Sequence, residues 1–270
     1  MNISTFLFSI LCIFASASVQ ASTDTFPGRS EFPDVRIFSM KDLSMQLNKV
    51  LIIDTRSSYE YETIHINTAI NIPVSSKTFV EQVKKVRYNT NKPIVFYCNG
   101  RTCYKSYKAT AAAMKNNIKN VYAYDAGMFE WANAHPDKTT LLTKSPIDTT
   151  DLLNKKKLTS HMLTPDVFSK RVYTENDNLR VLDIRDLTQR ANGVGYFSGI
   201  EYWIDLNQKQ KVIDFMRKAD ADKKTLMIYD AVGKQVRWLQ YTLEKENIKN
   251  YYFMKKGAKG FYDQIINVKR

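Results

Sequence analysis

Residues 94–106 read Ile94-Val95-Phe96-Tyr97-Cys98-Asn99-Gly100-Arg101-Thr102-Cys103-Tyr104-Lys105-Ser106. The apolar run at the start predicts a short buried strand, and the Ala- and Lys-rich segment Tyr104–Asn116 predicts a helix. Cys98 therefore lies between a strand end and a helix N-terminus. Backbone N–H groups and the positive end of the helix dipole favour a thiolate in such a place. The pattern predicts a nucleophilic sulfur at Cys98.

The same alternation of apolar runs and helical segments continues on both sides of this stretch. Val50–Asp54 and Val121–Tyr124 are predicted strands, and Phe79–Val86 is a predicted helix. Strands that are apolar throughout and alternate with helices are typical of a parallel sheet covered on both faces. The sequence thus predicts an α/β fold with ligands at the carboxyl ends of the strands.

The chain also repeats itself. Leu51–Arg56 matches Arg180–Arg185, and Ile94–Cys98 matches Leu226–Asp230, at an offset of about 130 residues (54 to 183, 98 to 230). A repeat of this length indicates a duplicated domain and not a solenoid. Asp230 then stands where the first copy has Cys98.

The repeat predicts the domain organisation. Residues 34–145 form a first domain that contains Cys98, residues 146–162 form a linker, and residues 163–268 form a second domain. A carboxylate cannot act as a thiol nucleophile, so we expect the chemistry to be confined to the first domain.

The N-terminus predicts export. Residues 1–21 contain a short apolar core followed by small residues, and Ala21 ends a segment that suits signal peptidase. The apolar run is too short to span a bilayer, so no stable membrane insertion is expected. We predict a periplasmic or secreted protein.

The composition excludes several function classes. The 270 residues carry a formal charge of +13, and the densest basic block is Lys155-Lys156-Lys157. Lysines scattered in this way indicate a solvated surface more than an attraction to anionic substrates or membranes, and no nucleic-acid partner is expected. No His and Cys spacing fits a zinc site, so we expect no metal and no cofactor.

Several spaced motifs resemble the rhodanese family. They are Leu51-Ile52-Ile53-Asp54-Thr55-Arg56, then Glu60-Tyr61, His65-Ile66 and Ala69-Ile70-Asn71-Ile72-Pro73, then Tyr97-Cys98, then Gly127-Met128-Phe129-Glu130-Trp131. The match covers about residues 37–135, and residues 163–268 match more weakly. The resemblance implies two tandem rhodanese-like domains, the second inactive.

This resemblance implies a sulfurtransferase. Cys98 would carry sulfane sulfur as a persulfide, taken from a small anionic sulfur donor and passed to a thiol acceptor. Asp54 and Arg56 would support the site. The loop that would bind the substrate consists of Asn99, Gly100, Arg101, Thr102, Tyr104 and Lys105.

One position departs from the family pattern and leaves alternatives open. Cys103 stands at the sixth loop position, where the family usually has Arg. Cys103 is thus a candidate resolving thiol, and the pair suggests a thiol–disulfide redox protein served by a redox partner protein. A disulfide staple across so small a loop would stabilise little. A non-enzymatic exported binding module is the third alternative.

Overall fold

The computed structural model describes residues 26–190 and 195–266 and shows two α/β units packed against each other. Each unit has a sheet whose strands all pair in parallel, with helices on its faces. The predicted fold class, α/β with mainly parallel sheets flanked by helices, is confirmed. The predicted signal peptide, residues 1–21, lies outside the described residues.

The first unit precedes residue 146. Its strands are β1 (Leu51–Asp54), β2 (Ile64–Ile66), β3 (Ile70–Asn71), β4 (Ile94–Tyr97), β5 (Val121–Tyr124) and β6 (Thr139–Leu141). Its helices are α1 (Gly28–Glu31), α2 (Met40–Met45), α3 (Ser58–Thr63), α4 (Phe79–Tyr88), α5 (Lys105–Lys115) and α6 (Gly127–Ala134). The main sheet has the order β3-β1-β4-β5, and β2 pairs with β6 in a separate antiparallel ribbon.

The second unit has a similar set of elements after helix α7 (Lys155–Ser160). Its strands are β7 (Met162–Leu163), β8 (Leu179–Asp183), β9 (Glu201–Trp203), β10 (Thr225–Tyr229) and β11 (Tyr251–Met254). Its helices are α8 (Pro165–Thr174), α9 (Lys209–Ala221), α10 (Val236–Lys245) and α11 (Gly257–Phe261). The sheet order β9-β8-β10-β11-β7 repeats that of the first unit, where Ile37 bridges to Ala123 at the place that β7 takes here.

The central strands of the two sheets, β4 and β10, form because their residues are mostly apolar and buried on both faces. All four residues of β4 are buried, and helices cover the sheet on either side, so period-two alternation is absent. Helix α3 begins with a capping box, in which Ser57 and Glu60 satisfy each other's backbone N–H groups. This cap fixes the chain directly after β1 and places Glu60 beneath the loop that follows β4.

A continuous apolar core joins the two units. One cluster of buried side chains contains Trp131 of the first unit and Trp238 of the second. The hydroxyls of Tyr59 and Thr242 lie 2.5 Å apart across the boundary. The Tyr241 hydroxyl accepts the backbone N–H of Leu153, in the predicted linker, at 3.0 Å. The units are therefore held in one fixed orientation.

The predicted linker is more ordered than its composition suggests. Residues 146–162 include helix α7 and end in β7, because Met162 pairs with Phe253 of β11. Within the described residues, no helix has the combination of length and apolar character that crossing a membrane requires.

Candidate active site

Cys98 follows β4 directly and points into the interior. It is 1% exposed; its Sγ donates to the carbonyl oxygen of Cys103 at 3.1 Å and lies 3.7 Å from Oγ of Ser106. Burial raises the pKa of the Cys98 thiol well above its ordinary value, and the hydrogen bond and charge of Cys103 raise it further. Hydrogen bonds from the backbone and side chain of Ser106 oppose this shift, because they favour the thiolate.

Cys103 also lies close to the N-terminus of α5. It is half-buried and lies two residues before α5, where backbone N–H groups of Lys105 and Asn99 point at its sulfur. The hydrogen bond from the Cys98 thiol, with these N–H groups and the charge of Lys105, lowers the pKa of Cys103 to about 6. The two thiols are coupled, so their titration belongs to the pair and not to either residue.

Two glycines set the shape of the loop. The N–H of Cys103 donates to the carbonyl of Gly100 at 2.8 Å, which closes a turn over Arg101 and Thr102. Gly127 has a φ of +75°, and a Cβ there would come within 2.3 Å of the Gly100 nitrogen. The chain after β5 therefore approaches the cysteine loop as closely as only glycine allows.

The cations of the loop are engaged with carboxylates. Arg101 Nε donates to Glu130 at 2.5 Å, and Lys105 Nζ lies 3.5 Å from Glu60. Glu60 is buried, which opposes ionisation, yet Lys105, Arg56 and a hydrogen bond from Asn99 keep its pKa below the ordinary value. These pairs hold the loop to the first unit, and Arg101 and Lys105 both line the cleft described below.

Asp54 and Arg56 support the loop from below. Both side chains are fully buried, and the Arg56 Nη2 lies 2.6 Å from Asp54 Oδ2. Arg56 also donates to the side-chain oxygen of Asn99 at 3.1 Å and to the carbonyl of Ile64 at 2.5 Å. The pair thus links β1 to the residue that follows Cys98, and neither member lines the cleft described next.

The cysteine loop opens on a cleft of about 690 Å³ between the two units. The first unit contributes Cys103 and the predicted loop residues from Asn99 to Lys105. The second unit contributes Arg237 and Trp238 from the start of α10. Phe129 stacks on Trp238 with centroids 4.9 Å apart, and the Arg237 guanidinium lies 3.6 Å from the Phe129 ring. Cys98 does not line this cleft.

In the second unit, the side chain of Asp230 fills the loop that follows β10. Asp230 follows β10 as Cys98 follows β4, and its carboxylate accepts backbone N–H groups of Val232, Gly233, Gln235 and Val236. Burial raises the pKa of Asp230, and these hydrogen bonds oppose the shift. The N–H groups that would hold an anion are therefore already occupied.

Arg237 is the residue whose importance the sequence did not indicate. Lys234 and Arg237 are the two cations that follow Asp230 in the sequence, and only the fold brings Arg237 to the same cleft as Cys103.

Among residues 26–190 and 195–266, no three His, Cys, Asp or Glu side chains form a group that could hold a metal ion.

Comparison with known proteins identifies the first unit. Residues 39–134 match the family model of the rhodanese-like domain. The chain is 40% identical over 88 residues to a tRNA uridine(34) hydroxylase of Sodalis glossinidius (strain morsitans), which is 31% of this chain and 24% of that protein. The corresponding protein of Photorhabdus laumondii is 41% identical over 86 residues, 30% of this chain and 23% of that protein.

The chain thus spans about a quarter of the length of the curated relatives it matches. A crystal structure of thiosulfate sulfurtransferase from Pseudomonas aeruginosa is similar with a TM-score of 0.38 and 15% identity, over 84% of this chain and 42% of that chain. On the family match, the chain contains a rhodanese-like domain at residues 39–134.

Proposed function

We propose that the protein is an exported sulfurtransferase that carries sulfane sulfur on the Cys98–Cys103 pair. The observation that supports it is the pair itself, two hydrogen-bonded thiols in a loop whose N–H groups favour a thiolate. A thiolate attacks the outer sulfur of an anionic donor such as thiosulfate or an organic persulfide, and the donor's remainder leaves with the electron pair. A thiol acceptor then removes the sulfur, and no cofactor takes part.

The proposal assigns the second unit a role in binding. Its Asp230 cannot carry sulfur, so we regard this unit as a degenerate, inactive counterpart that forms one wall of the cleft. Export rests on the sequence of residues 1–21, and a periplasmic or secreted location is part of the proposal. Neither nucleic acid nor stable membrane insertion is required.

The main test is sulfur transfer to cyanide. The reduced protein is incubated with thiosulfate or glutathione persulfide; thiocyanate is measured with cyanide as acceptor, and sulfide is measured without it. We expect turnover that disappears in the Cys98→Ser/Cys103→Ser double variant, checked for folding by circular dichroism. The proposal fails if the wild type forms no more thiocyanate or sulfide than the double variant with every donor.

Arg237 is expected to bind the anionic donor. Among the described residues it has no carboxylate partner, and its Nε is buried without a hydrogen-bond acceptor. A charge-assisted hydrogen bond contributes about 1.5–3 kcal/mol, which is roughly 10- to 100-fold in affinity. Arg237→Gln should therefore raise the KM for thiosulfate by this factor and change kcat little.

The matched control for Arg237 is Arg217→Gln on α9, which removes an exposed arginine paired with Glu246. Both variants lose one positive charge, so a general effect of net charge would appear in both. An equal rise in KM for the two variants would show that Arg237 has no specific part in binding.

Two other functions compete with sulfur transfer. A thiol–disulfide redox protein with a partner reductant is favoured by the contact between the thiols, and it predicts a reversible Cys98–Cys103 disulfide with no sulfur uptake.

The relatives are named for hydroxylation of uridine 34 in tRNA, but the similarity covers about a quarter of their length. A match to so small a part of those proteins does not carry their whole activity to this chain. Retained biological function without both thiols would favour a binding module.

A further inference from the structure

We propose that the sulfur acceptor is a cysteine in an acidic, extended segment of a partner protein, which binds across the cleft and a groove that continues from it. This inference rests on the proposed sulfur transfer and names the class of its acceptor. Three features of this surface support it: its length, its unpaired polar atoms and its charge.

The cleft continues past Arg237 into a second cavity, which we call the side groove. Arg237 and Phe129 line both the cleft of about 690 Å³ and the side groove of about 390 Å³, to which residues 149–155 also contribute. Cys103 lies in the cleft and Lys155 in the side groove. A pocket of roughly 300–1,000 Å³ already holds a drug-sized ligand. The joined surface is therefore longer than a small thiol requires, and it fits an extended peptide.

Two polar atoms on the wall formed by the second unit have no partner among the described residues. Arg237 Nε is a buried donor without an acceptor, and Gln235 Oε1 is a buried acceptor without a donor. Both residues line the cleft. A buried polar group without a partner costs free energy, so a ligand that supplies both a carbonyl oxygen and an N–H group gains from each. A peptide group carries this pair, whereas thiosulfate and cyanide lack the donor.

Cations outnumber carboxylates on this surface. The carboxylates that line the cleft are Glu60 and Glu130, and each lies in an ion pair with a cation of the cysteine loop. Charge complementarity therefore favours acidic side chains on either side of the acceptor cysteine. The cationic side chains that line the cleft or the side groove are those of Arg101, Lys105, Lys108, Lys155, Lys234 and Arg237.

The same charge would attract RNA, but the aromatic rings of the cleft favour a peptide. Proteins that bind single strands use open aromatic faces on which the bases stack. Here the rings of Phe129 and Trp238 stack on each other, and the Arg237 guanidinium lies on the Phe129 ring. Trp238 is also almost completely buried. Because these rings are already engaged with each other and with Arg237, we argue for the peptide and test RNA as the alternative.

The transfer step involves only the two thiols and the sulfur between them. The thiolate of the acceptor, whose proton has passed to water, attacks the outer sulfur of the persulfide on the cysteine loop. A new S–S bond forms on the acceptor, the S–S bond at the loop breaks, and the loop cysteine leaves as a thiolate with the electron pair. The sulfane sulfur keeps its oxidation state, so no external oxidant or reductant is consumed.

Two labelled peptides test this surface on the full chain. Each has one cysteine, flanked on both sides by pairs of glutamates in the acidic peptide and by pairs of lysines in the basic one. Forms with serine in place of cysteine give dissociation constants by fluorescence anisotropy, and the cysteine forms report transfer as a mass gain of one sulfur. We expect the acidic peptide to bind at least about 10-fold more tightly than the basic one. It should also accept sulfur faster than glutathione at equal concentration.

Lys155→Gln and Lys156→Gln form a matched pair of variants on helix α7. Both lysines are exposed, but Lys155 lines the side groove and Lys156 lines neither cavity. Lys155→Gln should raise the dissociation constant of the acidic peptide roughly 2- to 5-fold, the effect of one exposed charge, and Lys156→Gln should leave it unchanged. Gln235→Leu removes the unpaired acceptor and should raise the same constant roughly 2- to 10-fold.

The possible results separate the acceptor from the chemistry. Thiocyanate formation with cyanide, together with equal binding of the two peptides or equal losses in the two lysine variants, would overturn the peptide site and leave the sulfurtransferase proposal standing. Tighter binding of a single-stranded RNA oligonucleotide than of the acidic peptide would overturn the peptide site in favour of a nucleic-acid partner. Failure of the protein to take up sulfur from any donor would overturn the proposed function, and the acceptor with it.

Discussion

Arg56→Met is expected to lower the free energy of unfolding by about 3–5 kcal/mol, the cost of breaking a buried ion pair by removing one partner. The side chain is fully buried and binds Asp54, Asn99 and the carbonyl of Ile64. Methionine fills much of the volume but leaves the Asp54 carboxylate in the core without a cation. Urea denaturation measures the loss.

The second unit provides the matched control for Arg56. Arg185 pairs with Asp183 in the corresponding place, but Arg190 also lies 3.0 Å from the Asp183 carboxylate. Arg185→Met therefore leaves that carboxylate with a cation, and we expect a clearly smaller loss of stability. Adding Asp54→Asn to Arg56→Met should recover part of the loss, because the uncompensated charge is then removed. Equal losses for the two arginine variants would contradict this explanation.

Asp230→Ala is expected to lower the free energy of unfolding by about 3 kcal/mol or more. Removing the carboxylate leaves buried N–H groups without an acceptor, and each such group costs about 1–3 kcal/mol. These donors are the backbone groups of Val232, Gly233, Gln235 and Val236. The vacated loop should then bind an oxyanion in place of the side chain. Thermal unfolding in sulfate and in chloride at equal ionic strength measures both effects.

The wild type is the control for the anion effect, since sulfate stabilises most proteins by exclusion from their surface. Sulfate should raise the melting temperature of Asp230→Ala more than that of the wild type, whose loop is filled by its own carboxylate. An equal rise in both proteins would mean that the vacated N–H groups do not form an anion site.

The sequence predicted the strands well because both faces of each sheet are covered. β4 and β5 have the predicted bounds, and β1 begins one residue later than predicted. The repeat also predicted the position of Asp230, because the strand order is the same in both units. Local sequence patterns of this kind predict strands wherever the neighbouring strands of the sheet determine how deeply a residue is buried.

The chemistry of the site was harder to predict because it depends on directions in space. The spacing predicted that Cys98 lies at a strand end. It did not predict that the Cys98 side chain enters the core while Cys103 lines the cleft. Arg237 lies 134 positions after Cys103, and only the packing of the two units brings them to one cleft. Such contacts leave no periodic pattern in a sequence.

The apolar core shared by the units has a consequence for how the molecule unfolds. Because buried side chains such as Trp131 and Trp238 belong to one cluster, separating the units would expose a large apolar surface on each. We therefore expect the units to melt as one cooperative block and a ligand held between them to stabilise both at once. The second unit has no thiol in its loop, yet its packing against the first unit stabilises the loop that carries Cys98 and Cys103.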